Sequence, residues 1–246
     1  MDPRVKKRLL DSIEYLRKLD FFQDYLNLSA GKILERILNG DIDYEPQWFL
    51  EEIKEKKGEE YFKKYFRTKP YGEILKESLE KNEEEWMRAS DFNVDFELAS
   101  FDKKRILIEN PETDPSKDMG IYLMRRLARI SRGLLIPEDI REEWSEGRGK
   151  TPSDLKKYLY DDSCEYWCRV SVSFKFEGKM CSVDFYCKDD YLILEPTVKK
   201  INELIRDTGY QYYWLPGDDF CFVVLTQDEA EKLKREREWK FVKWRS

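Results

Sequence analysis

CEYWCRVSVSFKFEGKMCSVDFYC, residues 164–187, alternates apolar and polar side chains on both sides of a short turn. Cys164, Tyr166, Cys168, Val170, Val172, Phe174 and Phe176 share one face of the first half, and Glu165, Trp167, Arg169, Ser171, Ser173 and Lys175 the other. That period of two belongs to a half-buried strand. Beyond the turn, Cys181, Val183, Phe185 and Cys187 alternate with Ser182, Asp184 and Lys188, so the stretch predicts an antiparallel hairpin with four cysteines on its core face.

The turn sets the register. A two-residue Glu177-Gly178 loop places Phe174 opposite Cys181 and Cys168 opposite Cys187, whereas a Gly178-Lys179 loop places Phe176 opposite Cys181 and Cys168 opposite Asp189. Both keep apolar against apolar, so both remain open. The spacings CxxxC and CxxxxxC do not match the CxxC knuckles that wrap zinc, and alternate strand positions do not converge as knuckles do. The cysteines are expected to be reduced core residues, Cys221 in FCFVVL included, with a Cys168–Cys187 thiol pair or disulfide as the alternative.

Downstream of the hairpin come a strand YLILEP, a helix from Pro196 to about Asp207, a strand YQYYWL, a PGDD turn and a strand FCFVVL. Thr226 with Glu229 forms a capping box for a last helix. Upstream, residues 136–152 are polar, contain Gly147 and Gly149, and predict a loop or linker, while SDLKKYLY resembles a short helix. MGIYLMRRLARIS is a strong amphipathic helix from about Asp118 to Ser131.

The first ninety residues change character. Asp2-Pro3 is a helix start, followed by Val5, Leu9, Ile13 and Leu16 at helical spacing. Ser29 caps a second helix, Pro46 opens QWFLEEIKEKK, and EEYFKKYF and YGEILKESLEKNEEEWMRA follow. At Asp91 the pattern changes again: in DFNVDFELASFD, Phe92, Val94, Phe96 and Leu98 alternate with polar residues and predict a strand, with RILIEN (residues 105–110) as its partner. The expected architecture is α+β: a helical region over 1–90 and, over 91–246, a mostly antiparallel sheet with two or three packed helices.

Composition limits the chemistry. Of the 246 residues 39% are charged and 15% aromatic, and there is no histidine, so Ser-His-Asp or Cys-His catalysis and histidine metal sites are excluded. The 51 acidic residues outnumber the 45 lysines and arginines, a net charge of -6 that disfavours nucleic acid as a partner. The N-terminus lacks a signal-peptide pattern and no apolar run is long enough to span a bilayer, so a cytoplasmic location without membrane association is expected. EGRGKTPS lacks the spacing and preceding strand of a phosphate loop, and the paired acids Asp161-Asp162, Asp189-Asp190 and Asp218-Asp219 are accounted for by turns.

Two candidate surfaces remain. On the helix over 118–131, Arg125, Arg126, Arg129 and Arg132 crowd into about 120° of the wheel opposite the apolar half. A guanidinium cluster suits carboxylate or phosphate recognition, because each offers planar bidentate donors. Tyr212 and Trp214, on one face of YQYYWL with Tyr210, could add stacking contacts. These residues point to a non-enzymatic binding protein with a protein partner, in an accessory, regulatory or immunity-type role and with no cofactor. The enzymatic alternative is a metal-assisted hydrolase or nuclease using Asp95, Glu97 and Glu109, the acids of the two predicted strands. Self-association through exposed Trp and Tyr is a third expectation, and the oligomeric state stays open.

Overall fold

The computed structural model describes residues 1–42, 70–112, 116–150, 153, 156, 163–189 and 191–243. The helices expected from QWFLEEIKEKK, EEYFKKYF and SDLKKYLY, and the Asp161-Asp162 turn, lie outside the described residues, apart from Ser153 and Lys156. The chain divides into two compact units: Met1–Lys103 with Lys232–Trp239, and Lys104–Glu231 with Lys240–Ser246. The fold is α+β, N-terminal helices followed by antiparallel sheets with interspersed helices.

In the first unit, α1 (Pro3–Arg17) starts where Asp2 accepts the amide of Arg4, and it buries Val5, Leu9, Ile13 and Leu16. Helix α2 (Ala30–Leu38) is capped by Ser29 as expected, with Ile33, Leu34 and Ile37 buried. The YGEILKESLEKNEEEWMRA stretch forms two helices, α3 (Tyr71–Lys81) and α4 (Glu83–Arg88). Arg8 of α1 donates to the carbonyls of Trp86 and Met87 at 2.7 and 3.2 Å and to that of Ala89. One guanidinium thereby satisfies acceptors that α4 leaves unpaired at its C-terminus.

The strand expected at residues 91–102 is instead helix α5 (Asp91–Ala99). Ser90 is its N-cap, accepting the amide of Asn93 at 3.2 Å, and the buried positions Val94, Asp95, Leu98 and Ala99 recur at helical spacing. The apparent alternation has a local cause: Phe92 and Phe96 are partly exposed and stack on each other at 5.8 Å along the helix side, with Phe92 edge-on to Trp239 at 5.7 Å. Residues 91–103, expected to open the sheet region, therefore belong with the helices.

The second unit holds two antiparallel sheets. β1 (Ile106–Glu109), β6 (Tyr210–Leu215) and β7 (Phe220–Thr226) are ordered β1-β7-β6. β2 (Glu138–Lys150), β3 (Ser163–Phe176), β4 (Lys179–Lys188) and β5 (Tyr191–Ile193) are ordered β2-β3-β4-β5. RILIEN is a strand as expected, but its partner is β7. The 136–152 linker is instead mostly strand β2, an edge paired with β3 and interrupted by register shifts at Glu138/Arg141 and Gly147/Gly149. Its apolar signal is thin because an edge strand carries charge on both faces, which also deters pairing with other chains.

Helices α6 (Met119–Ile130) and α7 (Glu195–Leu204) pack on a core that includes Val170, Val172, Phe174, Phe185, Val198, Tyr212 and Phe222. Gly120 of α6 lies against β3: a Cβ there would fall 2.6 Å from Val172 Cγ2 and 2.7 Å from Val170 Cγ1. Glu142, on the core-side face of β2, accepts the amides of Asp118 at 2.6 Å and Ile121 at 3.1 Å and the Trp144 indole at 2.9 Å. A carboxylate at a helix N-terminus meets both free amides and the positive end of the helix dipole. The last helix, α8 (Gln227–Arg237), begins with the expected box: Thr226 N donates to Glu229 and Glu229 N to Thr226 Oγ1.

Candidate functional site

The hairpin resolves to a single register. Glu177 and Gly178 both take positive φ, 49° and 74°, and form the two-residue loop. Cys168 stands opposite Cys187 and Phe174 opposite Cys181. Positive φ at both central residues is the type I′ turn, whose twist matches that of the strands, and glycine supplies its second position without strain. Cys168 and Cys187 are both 0% exposed, and these two, the partly buried Cys181 and the buried Cys221 are all free thiols. Cys187 donates toward Cys168, which holds the Cys168 thiol below its ordinary value, while the same contact and burial push Cys187 up. Burial pushes the Cys221 thiol up to about 12.

The arginine stripe divides in two, and only Arg125, Arg126 and Arg129 lie on α6: the helix ends at Ile130, and Arg132 follows it in a left-handed conformation with φ 62°. Arg126 donates to Glu109 Oε2 at 2.5 Å and to the Ile108 carbonyl at 3.0 Å, and lies 5.5 Å from the centre of the Tyr122 ring. Arg132 holds the Glu229 carboxylate at 2.8 and 3.0 Å and lies over the Tyr210 ring at 4.8 Å. These two arginines fasten α6 to its own unit. Arg125 and Arg129 are exposed, one helical turn apart, and make no hydrogen bond or ion pair with the described residues. Side chains four apart on a helix are neighbours, so the two can grip one carboxylate-bearing segment together.

Tyr212 is a core residue, which corrects its expected place on a binding surface: it is 0% exposed and its hydroxyl donates to the Leu127 carbonyl at 2.7 Å. Burial pushes that hydroxyl far above its ordinary value. α6 covers this face of β6, which the alternation in YQYYWL could not reveal. Trp214 is half-buried, tilted against Phe220 at 5.6 Å and Phe222 at 6.1 Å. The backbone edge of β6 is also occupied: Asn202 exchanges two hydrogen bonds with Tyr212, and Val242 N donates to the Trp214 carbonyl at 2.8 Å.

The three carboxylates of the hydrolase expectation have separate structural settings. Asp95 is 0% exposed and every acceptor position is engaged: Ser12 Oγ at 2.5 Å, Arg237 Nε at 2.8 Å and Nη2 at 2.5 Å, and Trp239 Nε1 at 3.2 Å. Glu97 follows two positions later on α5, about 200° around the helix, and is half-buried. Glu109 ends β1 in the second unit, where burial pushes its carboxyl up and Arg126 opposes that shift. Asp219 is likewise held up, by burial and by Asp218. Among the described residues, no group of three or more acids or cysteines is placed to hold a metal ion.

Ser12, Arg237, Trp239 and Glu142 were not singled out from sequence. The first three meet at Asp95 from positions up to 144 residues away, and no local pattern marks such a meeting. For α5, a signal was present in Ser90, an N-cap residue directly before the apolar run. The chain matches no known protein family, no curated protein and no solved structure.

Proposed function

We propose that the protein is a cytoplasmic, non-enzymatic accessory protein, regulatory or immunity-type, that docks an acidic segment of a protein partner on Arg125 and Arg129 of α6. The observation that supports it is the pair of exposed guanidiniums one turn apart, without a counter-charge among the described residues. Arg126 on the same helix and Arg132 just beyond its end have counter-ions, so among the described residues the arginines that pack are charge-compensated and those that meet solvent are not. The net charge of -6 repels an extended polyanion such as a duplex more than a short acidic segment held at these two arginines. The hydrolase alternative has no comparable support, because Asp95 has no acceptor position left to offer a metal or substrate. Among the described residues no helix is long and apolar enough to cross a membrane.

The test is binding of a fluorescent glutamate-rich peptide, with duplex DNA as the competing probe. Peptide binding that weakens with salt and is lost in Arg125→Glu/Arg129→Glu, at unchanged Tm, is the expected result. Equal binding by the variant, or tighter binding of the duplex, would sink the proposal.

A further inference from the structure

The hairpin carries a second device, independent of the arginine face. We infer that Cys168 and Cys187 form a redox staple: a hydroperoxide converts the facing thiols into a disulfide that ties β3 to β4 beneath the second unit's core.

Three observations carry this. The register sets the two residues directly opposite each other. Counting back from the Phe176–Lys179 pair that closes the turn, Cys168–Cys187 is a hydrogen-bonded pair, whose Cα atoms stand about 5.5 Å apart. A disulfide spans about 4.4–6.8 Å between Cα atoms, so the strands need not move to accept it. Both sulfurs lie on the same sheet face, within hydrogen-bonding reach of each other.

The second observation is exclusivity among the cysteines whose side chains are described. Cys181 faces Phe174, and Cys221, in β7, faces Ile108 and Leu215, so neither has a thiol opposite it. The third is position. Only the Trp167–Lys188 pair and the hydrogen bond from Asp189 N to the Tyr166 carbonyl at 2.8 Å lie between the two cysteines and the end of the β3–β4 ladder. Ladder ends open most readily, which admits a small oxidant to a pair that is otherwise 0% exposed. Full burial disfavours larger disulfide reagents, and this is why the oxidant class is a hydroperoxide.

The chemistry balances in two steps. Cys168, as thiolate, attacks one peroxide oxygen; the O–O bond breaks, the sulfur becomes a sulfenic acid, and the other oxygen leaves as water or alcohol after protonation. Cys187 then attacks the sulfenic sulfur, the S–S bond forms, and the hydroxyl leaves as water with the Cys187 proton. Two thiols are oxidised and one peroxide is reduced. Cys187 donates toward Cys168, which favours Cys168 as the attacking sulfur.

The experiment treats the reduced full chain with hydrogen peroxide, quenches it, alkylates free thiols under denaturing conditions and maps peptides without reductant. The expected product joins the Cys168 and Cys187 peptides, shows a mass loss of two hydrogens, reverts with dithiothreitol and has a higher Tm than the reduced chain. The Cys187→Ser variant should stop at a Cys168 sulfenic acid that a dimedone probe labels. Should that variant fail to fold, the wild-type peptide map decides alone. The inference is overturned if both cysteines remain alkylatable, if the cross-link involves Cys181 or Cys221, or if Cys168 proceeds to sulfinic acid without bridging.

Discussion

Replacing Asp95 tests what holds the N-terminal unit together. Its carboxylate is 0% exposed and accepts from Ser12, twice from Arg237 and from Trp239. Asp95→Asn keeps the shape and removes the charge, so Arg237, whose side chain is 14% exposed, keeps only Asp91 at 3.2 Å as counter-ion. Breaking a buried pair by removing one partner costs about 3–5 kcal/mol. Asp95→Ala belongs at the upper end, because Ser12 and the Trp239 indole then lose their acceptor, at about 1–3 kcal/mol for each buried group. The assay is urea denaturation followed by far-UV circular dichroism, with the slope checked for constancy so that the midpoint reports stability. Arg237→Met should cost a comparable amount, and Asp95→Leu/Arg237→Met much less than the two single changes summed, because an apolar pair leaves no orphaned charge. If Asp95→Asn lies within about 1 kcal/mol of wild type, or the double variant is simply additive, the charge pair does not hold this unit and the reasoning fails.

Two further perturbations follow from geometry. Gly120→Ala should destabilise by about 1–3 kcal/mol, since its Cβ would meet Val170 and Val172 at 2.7 and 2.6 Å, and both are branched side chains on a packed strand; an unchanged urea midpoint would show that α6 can slide on β3. The Asp2 carboxyl, capping α1 and bonded to Arg4, is lowered to about 2 from 3.8. A group with a depressed folded pKa stabilises fully above its unfolded value, and the contribution disappears as pH falls through the folded one. Carbon-detected NMR should therefore show Asp2 titrating near the bottom of the carboxylate range, and Asp2→Ala should flatten the stability profile between about pH 4 and pH 2. Titration of Asp2 at an unperturbed value would refute the cap.

How much of this was legible depended on whether a residue's burial is decided by its neighbours in sequence. In the hairpin, strand alternation is local, and β3 and β4 follow the pattern as read, with Cys168, Val170, Val172, Phe174, Phe176, Val183, Phe185 and Cys187 buried. The register was not local. It needed the positive φ that Glu177 and Gly178 adopt together, which composition alone does not distinguish from a Gly178-Lys179 turn. The stretch at 91–102 misled for a related reason. Asp95 looks like an outward strand residue because nothing nearby would neutralise it, and it becomes an inward helix residue only when Arg237 and Trp239 arrive from the far end of the chain.

The same distinction explains the arginines. On a helical wheel, Arg125, Arg126, Arg129 and Arg132 are equivalent members of one stripe, although the helix ends at Ile130 and Arg132 lies beyond it. The wheel carries no information about which of them meets a carboxylate. Glu109 at the end of β1 and Glu229 in the first turn of α8 select Arg126 and Arg132. What tertiary structure adds is subtraction: removing the compensated pair leaves Arg125 and Arg129 as the two without a counter-ion among the described residues. If those two were also structural, Arg125→Glu/Arg129→Glu should lower Tm as Arg126→Glu, which breaks the pair with Glu109, is expected to. A change at positions 125 and 129 that leaves stability intact, beside a change at 126 that does not, separates charge kept for a partner from charge spent on the fold.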